Sequence, residues 1–258
     1  MNRIEQLFQR KKANVLSIYC TAGFPKKDAT LPILEALASS GVDLIEIGMP
    51  FSDPLADGET IQRSSEIALE NGMSLQVLFE QLQGVRQKIS LPLVLMGYLN
   101  PVLQFGVENF CKKCAEVGID GLILPDLPLQ EYEEQYKALF EQYQLSPIFL
   151  ITPQTSEARI RRIDSLSKGF IYVVSQASTT GAKAGISNTQ EQYFERIRAM
   201  QLQNPLQIGF GIADAESFQK ACSYAQGAII GSAFIRYIQE RENFVQASAE
   251  FVASILKN

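Results

Sequence analysis

Leu44-Ile-Glu-Ile-Gly-Met-Pro-Phe-Ser-Asp-Pro-Leu-Ala-Asp-Gly58 is the stretch on which the reading of this chain turns. Leu44-Ile45-Glu46-Ile47 has the apolar, branched character of a buried strand. It runs directly into a polar loop stiffened by Pro50 and Pro54 and carrying Asp53 and Asp57. Side chains alternate along a strand, so Leu44, Glu46 and Gly48 share one face while Ile45 and Ile47 share the other. The isoleucines suit a helix-packed exterior, which turns Glu46 inward. A carboxylate in such a place is costly unless it is paired or used, and burial raises its pKa toward the range a general acid needs. The chain has no histidine, so proton transfer near neutral pH falls to carboxylates of this kind. Asp57, beside a turn-permitting Gly58, is the natural second acid. Asp53 reads equally well as a turn or helix N-cap residue.

Outward from this stretch the same pattern repeats. Val15–Cys20, Asp43–Ile47, Leu93–Met96, Gly121–Leu124, Pro147–Leu150, Phe170–Val174, Leu206–Gly209 and Gly227–Ile230 are nearly unbroken apolar runs, the signature of parallel strands covered on both faces. Helix-period segments lie between them: Leu31–Leu37, Ile61–Leu69, Leu75–Val85, Tyr132–Phe140, Ile160–Leu166, Tyr193–Met200 and Phe218–Cys222. Eight strand–helix units in 258 residues predict an α/β fold, a closed (β/α)8 TIM barrel. Arg3–Gln9, with Ile4, Leu7 and Phe8 at helical spacing, reads as an N-terminal capping helix. Two helices broken at Asn71-Gly72 decorate the connection between the second and third strands. With no linker or composition shift, residues 1–258 read as a single barrel domain.

Composition narrows the function. Hydrophobic residues make up 46% and charged residues 20%, with a net charge of −5 and no basic run beyond Arg10-Lys11-Lys12. Nucleic acid is thereby disfavoured as a partner, because phosphate-backbone affinity needs clustered cations. No apolar stretch has the length of a membrane span, and the N-terminus lacks a signal-peptide pattern. Cys20, Cys111, Cys114 and Cys222 are scattered, as expected of reduced thiols in a cytoplasm. Cys111-Lys-Lys-Cys114 falls inside the helix pattern Glu108–Val117, with no second CxxC and no histidine, so it reads as buried helix thiols rather than a metal site.

In a barrel of this kind functional groups gather at the C-terminal ends of the strands. Gly209-Phe210-Gly211 follows the seventh strand, and Gly231-Ser232 follows the eighth and opens a helix. Backbone amides and a helix N-terminus at those positions make a phosphate site. The long small-residue loop 175–187 reads as a lid, and its Gly181 offers another amide. Tyr19, Met96, Tyr98, Ile123, Leu150 and Tyr172 supply an apolar, aromatic wall, with Phe210 beside them. Histidine-ligated metal chemistry and a Ser-His-Asp triad are excluded by composition, and Schiff-base chemistry by the absence of a strand lysine. What remains is acid–base work by two carboxylates on a phosphorylated substrate.

These residues resemble the tryptophan synthase alpha chain family. Glu46–Gly58 carries the most specific part of the likeness. Asn100-Pro101, Asp126-Leu-Pro128, Thr180-Gly181, Gly209–Ile212 and Gly231-Ser232 extend it along the chain. The resemblance implies a lyase of tryptophan biosynthesis that cleaves indole-3-glycerol phosphate to indole and glyceraldehyde 3-phosphate. It implies Glu46 as the acid/base group, Asp57 as the partner of the indole N–H, and Thr180 as a lid residue closing over Asp57. It further implies a pyridoxal-phosphate beta chain as partner in an alpha2beta2 heterotetramer, met by Asp53, Pro54 and Asn100. No cofactor is implied on this chain itself. One departure stands out: where the commoner family pattern is Ser-Arg-x-Gly-Val-Thr-Gly, this chain has Ser175-Gln-Ala-Ser-Thr-Thr-Gly181, with Gln176 for arginine and Ser178 for glycine. Two other readings stay open at this level. One is another phosphosugar barrel such as phosphoribosylanthranilate isomerase, against which the Pro-Phe-Ser-Asp-Pro segment counts. The other is a non-catalytic activator of a beta chain, against which retention of both acids counts.

Overall fold

The computed structural model describes residues 2–54, 56–175, 188–209 and 211–257. Its strands are β1 (Val15–Thr21), β2 (Leu44–Gly48), β3 (Leu93–Met96), β4 (Gly121–Ile123), β5 (Ser146–Ile148), β6 (Leu150–Ile151), β7 (Ile171–Val174), β8 (Leu206–Gly209) and β9 (Gly227–Ile230). They form one sheet in the order β5-β4-β3-β2-β1-β9-β8-β7-β6, and every pairing is parallel. The two ends of that order, β5 and β6, are separated only by Phe149. They are halves of one strand, the first paired to β4 and the second to β7. The sheet therefore closes on itself as the expected (β/α)8 barrel. The expected single run Pro147–Leu150 is corrected to a strand broken at Phe149, whose ring packs outward on Tyr132 at a centroid distance of 5.2 Å.

Two apolar layers explain the alternation in the sequence. Inside the barrel Val15, Leu44, Val94, Ile123, Ile148, Phe170, Tyr172, Val174 and Ile229 form the inner core. Outside, Ile45, Ile47, Leu93, Leu95, Ile171 and Val173 pack with the helices. Ile4, Leu7 and Phe8 of the helix Arg3–Arg10 join the inner core from below and plug that end. Asn2 and Glu5 form a capping box at the helix start, and the Asn2 amide also donates to Asp120 O at 2.9 Å and to Ser146 Oγ at 2.6 Å. A Cβ on Gly121 or on Gly169 would lie 2.8 Å from an Ile4 carbon, so these glycines shape the plug's seat. Burying three such side chains contributes about 1.5–3 kcal/mol each.

The helix boundaries depart from expectation in a few places. The run Leu75–Val85 is helical only over Leu75–Gln81, because Gly84 (φ +74°) breaks it before a short 3-10 turn at Val85–Gln87. Tyr132–Phe140 becomes a π-turn over Tyr132–Tyr136 followed by the helix Lys137–Gln142. The break at Asn71-Gly72 is present, with Gly72 at φ +82° and the Asn71 amide tied to the carbonyls of Gly23 and Pro25. Helices at Leu99–Phe105 and Phe244–Leu256 were not anticipated. Cys111 and Cys114 are buried within the helix Val107–Val117, and all four cysteines are free. Among the described residues no group of side chains is arranged to hold a metal ion, and no helix is long and apolar enough to cross a membrane.

Candidate active site

Glu46 sits in the middle of β2, in register with Tyr19 on β1 and Val94 on β3. Its inward orientation follows from the alternation that sends Ile45 and Ile47 to the helix layer. The residue is completely buried, and neither carboxyl oxygen has a hydrogen-bond partner among the described residues. Burial pushes its pKa up to about 8. A buried carboxyl without a partner is destabilising, and such exceptions in a folded protein mark a functional group more often than a structural one.

Asp57 lies on the loop after β2. Its own N–H donates to Pro54 O at 3.2 Å, closing the turn, and Gly58 leads into the helix Glu59–Glu70. Burial pushes the Asp57 carboxyl up to about 6, against an opposing hydrogen bond donated by the Tyr98 hydroxyl to Oδ2 at 3.0 Å. Asp53, by contrast, is exposed and accepts from the neighbouring Ser52 hydroxyl. Asn100 is exposed in the first turn of the helix Leu99–Phe105, and Pro54 is half-buried on the loop after β2.

Tyr19, Met96 and Tyr98 line a cavity together with Asp57, Met49, Phe51, Ser65, Gly97 and Pro125. The last five escaped the sequence reading, since only Pro-Phe-Ser-Asp-Pro hinted at Phe51. Ile123 and Tyr172 belong to the inner core, against which half-buried Leu150 packs, as does Met96 of the cavity wall. Two glycines there have a steric duty. A Cβ on Gly48 would sit 2.0 Å from the Tyr19 hydroxyl, and one on Gly209 would sit 2.2 Å from that of Tyr172. Each tyrosine thus lays its hydroxyl in a notch that only glycine leaves open. Burial first, and then the acids Glu46 and Asp57 nearby, pushes both phenols well above their usual range. Gly209, expected as a phosphate glycine, has this second reason to be glycine.

At the other side of the mouth, Gly211 adopts φ +80° after β8. Gly231 precedes the helix Ser232–Gln239, whose first turn has no side-chain cap among the described residues. Its N–H groups are therefore available to an anion. Phe210, Thr180 and Gly181, with Gln176, Ser178 and the rest of the expected lid 176–187, lie outside the described residues.

Fold and site together define a class: a (β/α)8 barrel enzyme that holds two acids with raised pKa values, Glu46 and Asp57, toward the C-terminal mouth of its strands. Comparison narrows the class. The family model described as "Tryptophan synthase alpha chain" matches residues 4–257, and the chain belongs to that family. It is 58% identical over 255 residues to the tryptophan synthase alpha chain of Flavobacterium psychrophilum, covering 99% of this chain and 100% of that one. It is 60% identical over 240 residues to that of Flavobacterium johnsoniae, covering 93% and 94%. Among solved structures, the alpha subunit from Legionella pneumophila superposes with a TM-score of 0.88 at 33% identity, covering 99% of this chain and 97% of that one. A chain of the tryptophan synthase complex from Pyrococcus furiosus gives 0.86 at 33% identity, covering 95% and 99%.

Proposed function

We propose that this chain cleaves indole-3-glycerol phosphate to indole and glyceraldehyde 3-phosphate, with Glu46 moving the protons and Asp57 holding the ring nitrogen. The observation that carries this reading is the pair of acids. Burial pushes Glu46, without a partner among the described residues, up to about 8, and Asp57, at the same mouth, up to about 6. At neutral pH the first keeps its proton while the second has lost it, which is the division of labour the reaction needs.

An indole carbanion is a poor leaving group. Glu46 gives its proton to C3 of the ring, and the positive charge that develops reaches the ring nitrogen, whose N–H donates to the Asp57 carboxylate. The Glu46 carboxylate left behind takes the proton of the adjacent side-chain hydroxyl. That oxygen becomes the aldehyde carbonyl, the carbon–carbon bond breaks, and its electron pair returns to the ring. Glu46 ends protonated, as it began. General acid–base assistance is worth about 10²–10⁴ in rate, and electrostatic stabilisation of the developing charge about 3–4 kcal/mol more. The phosphate would sit on the amides at the start of Ser232–Gln239, with Gly211, Gly209 and the expected Phe210 and Gly181 beside it. Tyr19, Met96, Tyr98, Ile123, Leu150 and Tyr172 would enclose the ring.

The chain works as the alpha subunit of tryptophan synthase, in an alpha2beta2 heterotetramer with the beta chain. Exposed Asp53 and Asn100, with Pro54, would form part of the face that meets it. Pyridoxal phosphate belongs to the beta chain in this reading, and none is assigned here. Four free cysteines fit a cytoplasmic location. The test is direct: incubate the purified chain with indole-3-glycerol phosphate, alone and with a beta chain, and measure glyceraldehyde 3-phosphate. Release in either mixture is expected, and no product in both overturns the reading.

A further inference from the structure

The loop that presents Asp57 is held from the neighbouring strand by one phenol. Tyr98 lies two residues beyond β3 and is buried. Its hydroxyl accepts the Ala56 N–H at 2.9 Å and donates to Asp57 Oδ2 at 3.0 Å. Its ring packs on Phe51, at a centroid distance of 5.4 Å, on the earlier arm of the same loop. The segment is anchored in turn by Asp126, after β4, whose two carboxylate oxygens accept the Leu99 N–H at 2.9 and 3.0 Å. One side chain therefore spans the loop at Phe51, Ala56 and Asp57.

A phenolic hydroxyl has one proton to give. With the Ala56 amide pointing at its oxygen, that proton is directed to Oδ2. The Asp57 carboxylate is thereby fixed in rotation, leaving Oδ1 to a ligand. We propose that Tyr98 is a positioning residue, whose hydroxyl sets the orientation and charge of Asp57 without touching the reacting atoms. The inference rests on Asp57 as partner of the ring N–H.

The surroundings make the hydroxyl matter. Asp57 is faced by Tyr19 from β1, Tyr172 from β7 and Tyr98 from the β3 loop, with Glu46 on β2 near Tyr19 and Tyr172. At neutral pH burial keeps Glu46 and the phenols uncharged. Asp126 acts on Tyr98 from its far side. Arg236, on the helix Ser232–Gln239, reaches Thr60 Oγ1 at 3.2 Å rather than Asp57. Among the described residues no cation pairs with Asp57. The hydrogen bond from Tyr98 opposes the upward push of burial, so its removal raises the Asp57 pKa.

The experiment compares wild type, Tyr98→Phe, Asp57→Asn and the double variant in the complex with a beta chain, following indole-3-glycerol phosphate cleavage across pH. Tyr98→Phe keeps the ring and its packing on Phe51. Its kcat is expected to fall about 10- to 100-fold with KM changed by less than about threefold. The acid limb of kcat/KM should move to higher pH while the alkaline limb stays. In the Asp57→Asn background Tyr98→Phe should cost little more. An acid limb that superimposes on wild type overturns the proposal, as does an equal loss in both backgrounds. So does a drop in melting temperature that accounts for the lost activity with the limb in place. Inactive wild type would instead overturn the lyase reading, a separate result.

Discussion

Two acids buried at opposite ends of the barrel meet opposite treatment. Asp120, at the foot of β4, is 2% exposed and satisfied from several directions. Arg3 reaches it at 3.0 Å, Arg86 pairs with its other oxygen, and the Leu93 N–H donates at 2.9 Å. Glu46, near the mouth, is 0% exposed and has nothing among the described residues to bond to. The same chemical group stabilises the plugged end and burdens the open one. Stability is thus concentrated where the N-terminal helix closes the barrel, and strain is tolerated where chemistry is done.

The largest effect should come from breaking the open end. Glu46→Gln keeps shape and removes the titrating proton, and turnover should fall by about 10³ or more with no loss of melting temperature. The sign of the pH dependence follows. A carboxyl whose folded pKa is raised from 4.5 to about 8 favours the folded state fully below the unfolded pKa, and this contribution is lost as pH rises toward 8. Wild type should therefore lose stability relative to Glu46→Gln between about pH 4.5 and 8, as denaturant titrations at several pH values would show. A constant difference would return Glu46 to the ranks of satisfied core residues.

Asp120→Asn tests the closed end. It should cost about 2–4 kcal/mol of stability, less than for a fully buried pair because Arg3 is half in solvent. Turnover per folded molecule should stay within about twofold. A large loss of turnover in the folded variant would erase the contrast between the ends. Gly48→Ala should have a smaller effect, about tenfold on kcat/KM, by expelling the Tyr19 hydroxyl from its notch. Tyr19→Phe removes the nearest clashing atom and should return part of it. The mildest perturbation is pH itself. The kcat/KM profile should rise as Asp57 ionises at about 6 and fall as Glu46 loses its proton at about 8. A profile flat from pH 5 to 9 would remove both acids from the mechanism.

The barrel was legible because parallel strands covered on both faces read as apolar runs. Every expected run overlaps an observed strand, and alternation along β2 correctly turned Glu46 inward. The break at Phe149 was not legible. Its run is as apolar as the others, and only the exchange of partners from β4 to β7 reveals it. Leu99–Phe105 was hidden by Pro101 in its first turn, and Phe244–Leu256 by the absence of a following strand. At the site, residue types announced the two acids, whereas the Tyr98 hydroxyl meets Asp57 across 41 residues of chain. Nothing local encodes that meeting. The notches at Gly48 and Gly209 were invisible for a related reason, since a glycine ending a strand looks the same whether it admits an anion or a neighbour's hydroxyl.

The plug helix also bears on how the chain is made. Its residues are made before those they pack on: Asn2 bonds to Asp120 and Ser146, and Ile4 rests against Gly121 and Gly169. The seat is complete only once the chain has been made as far as Gly169. Until then Ile4, Leu7 and Phe8 form a greasy stripe with no home. The plug helix must wait until Gly169 has been added before it can lock the barrel shut.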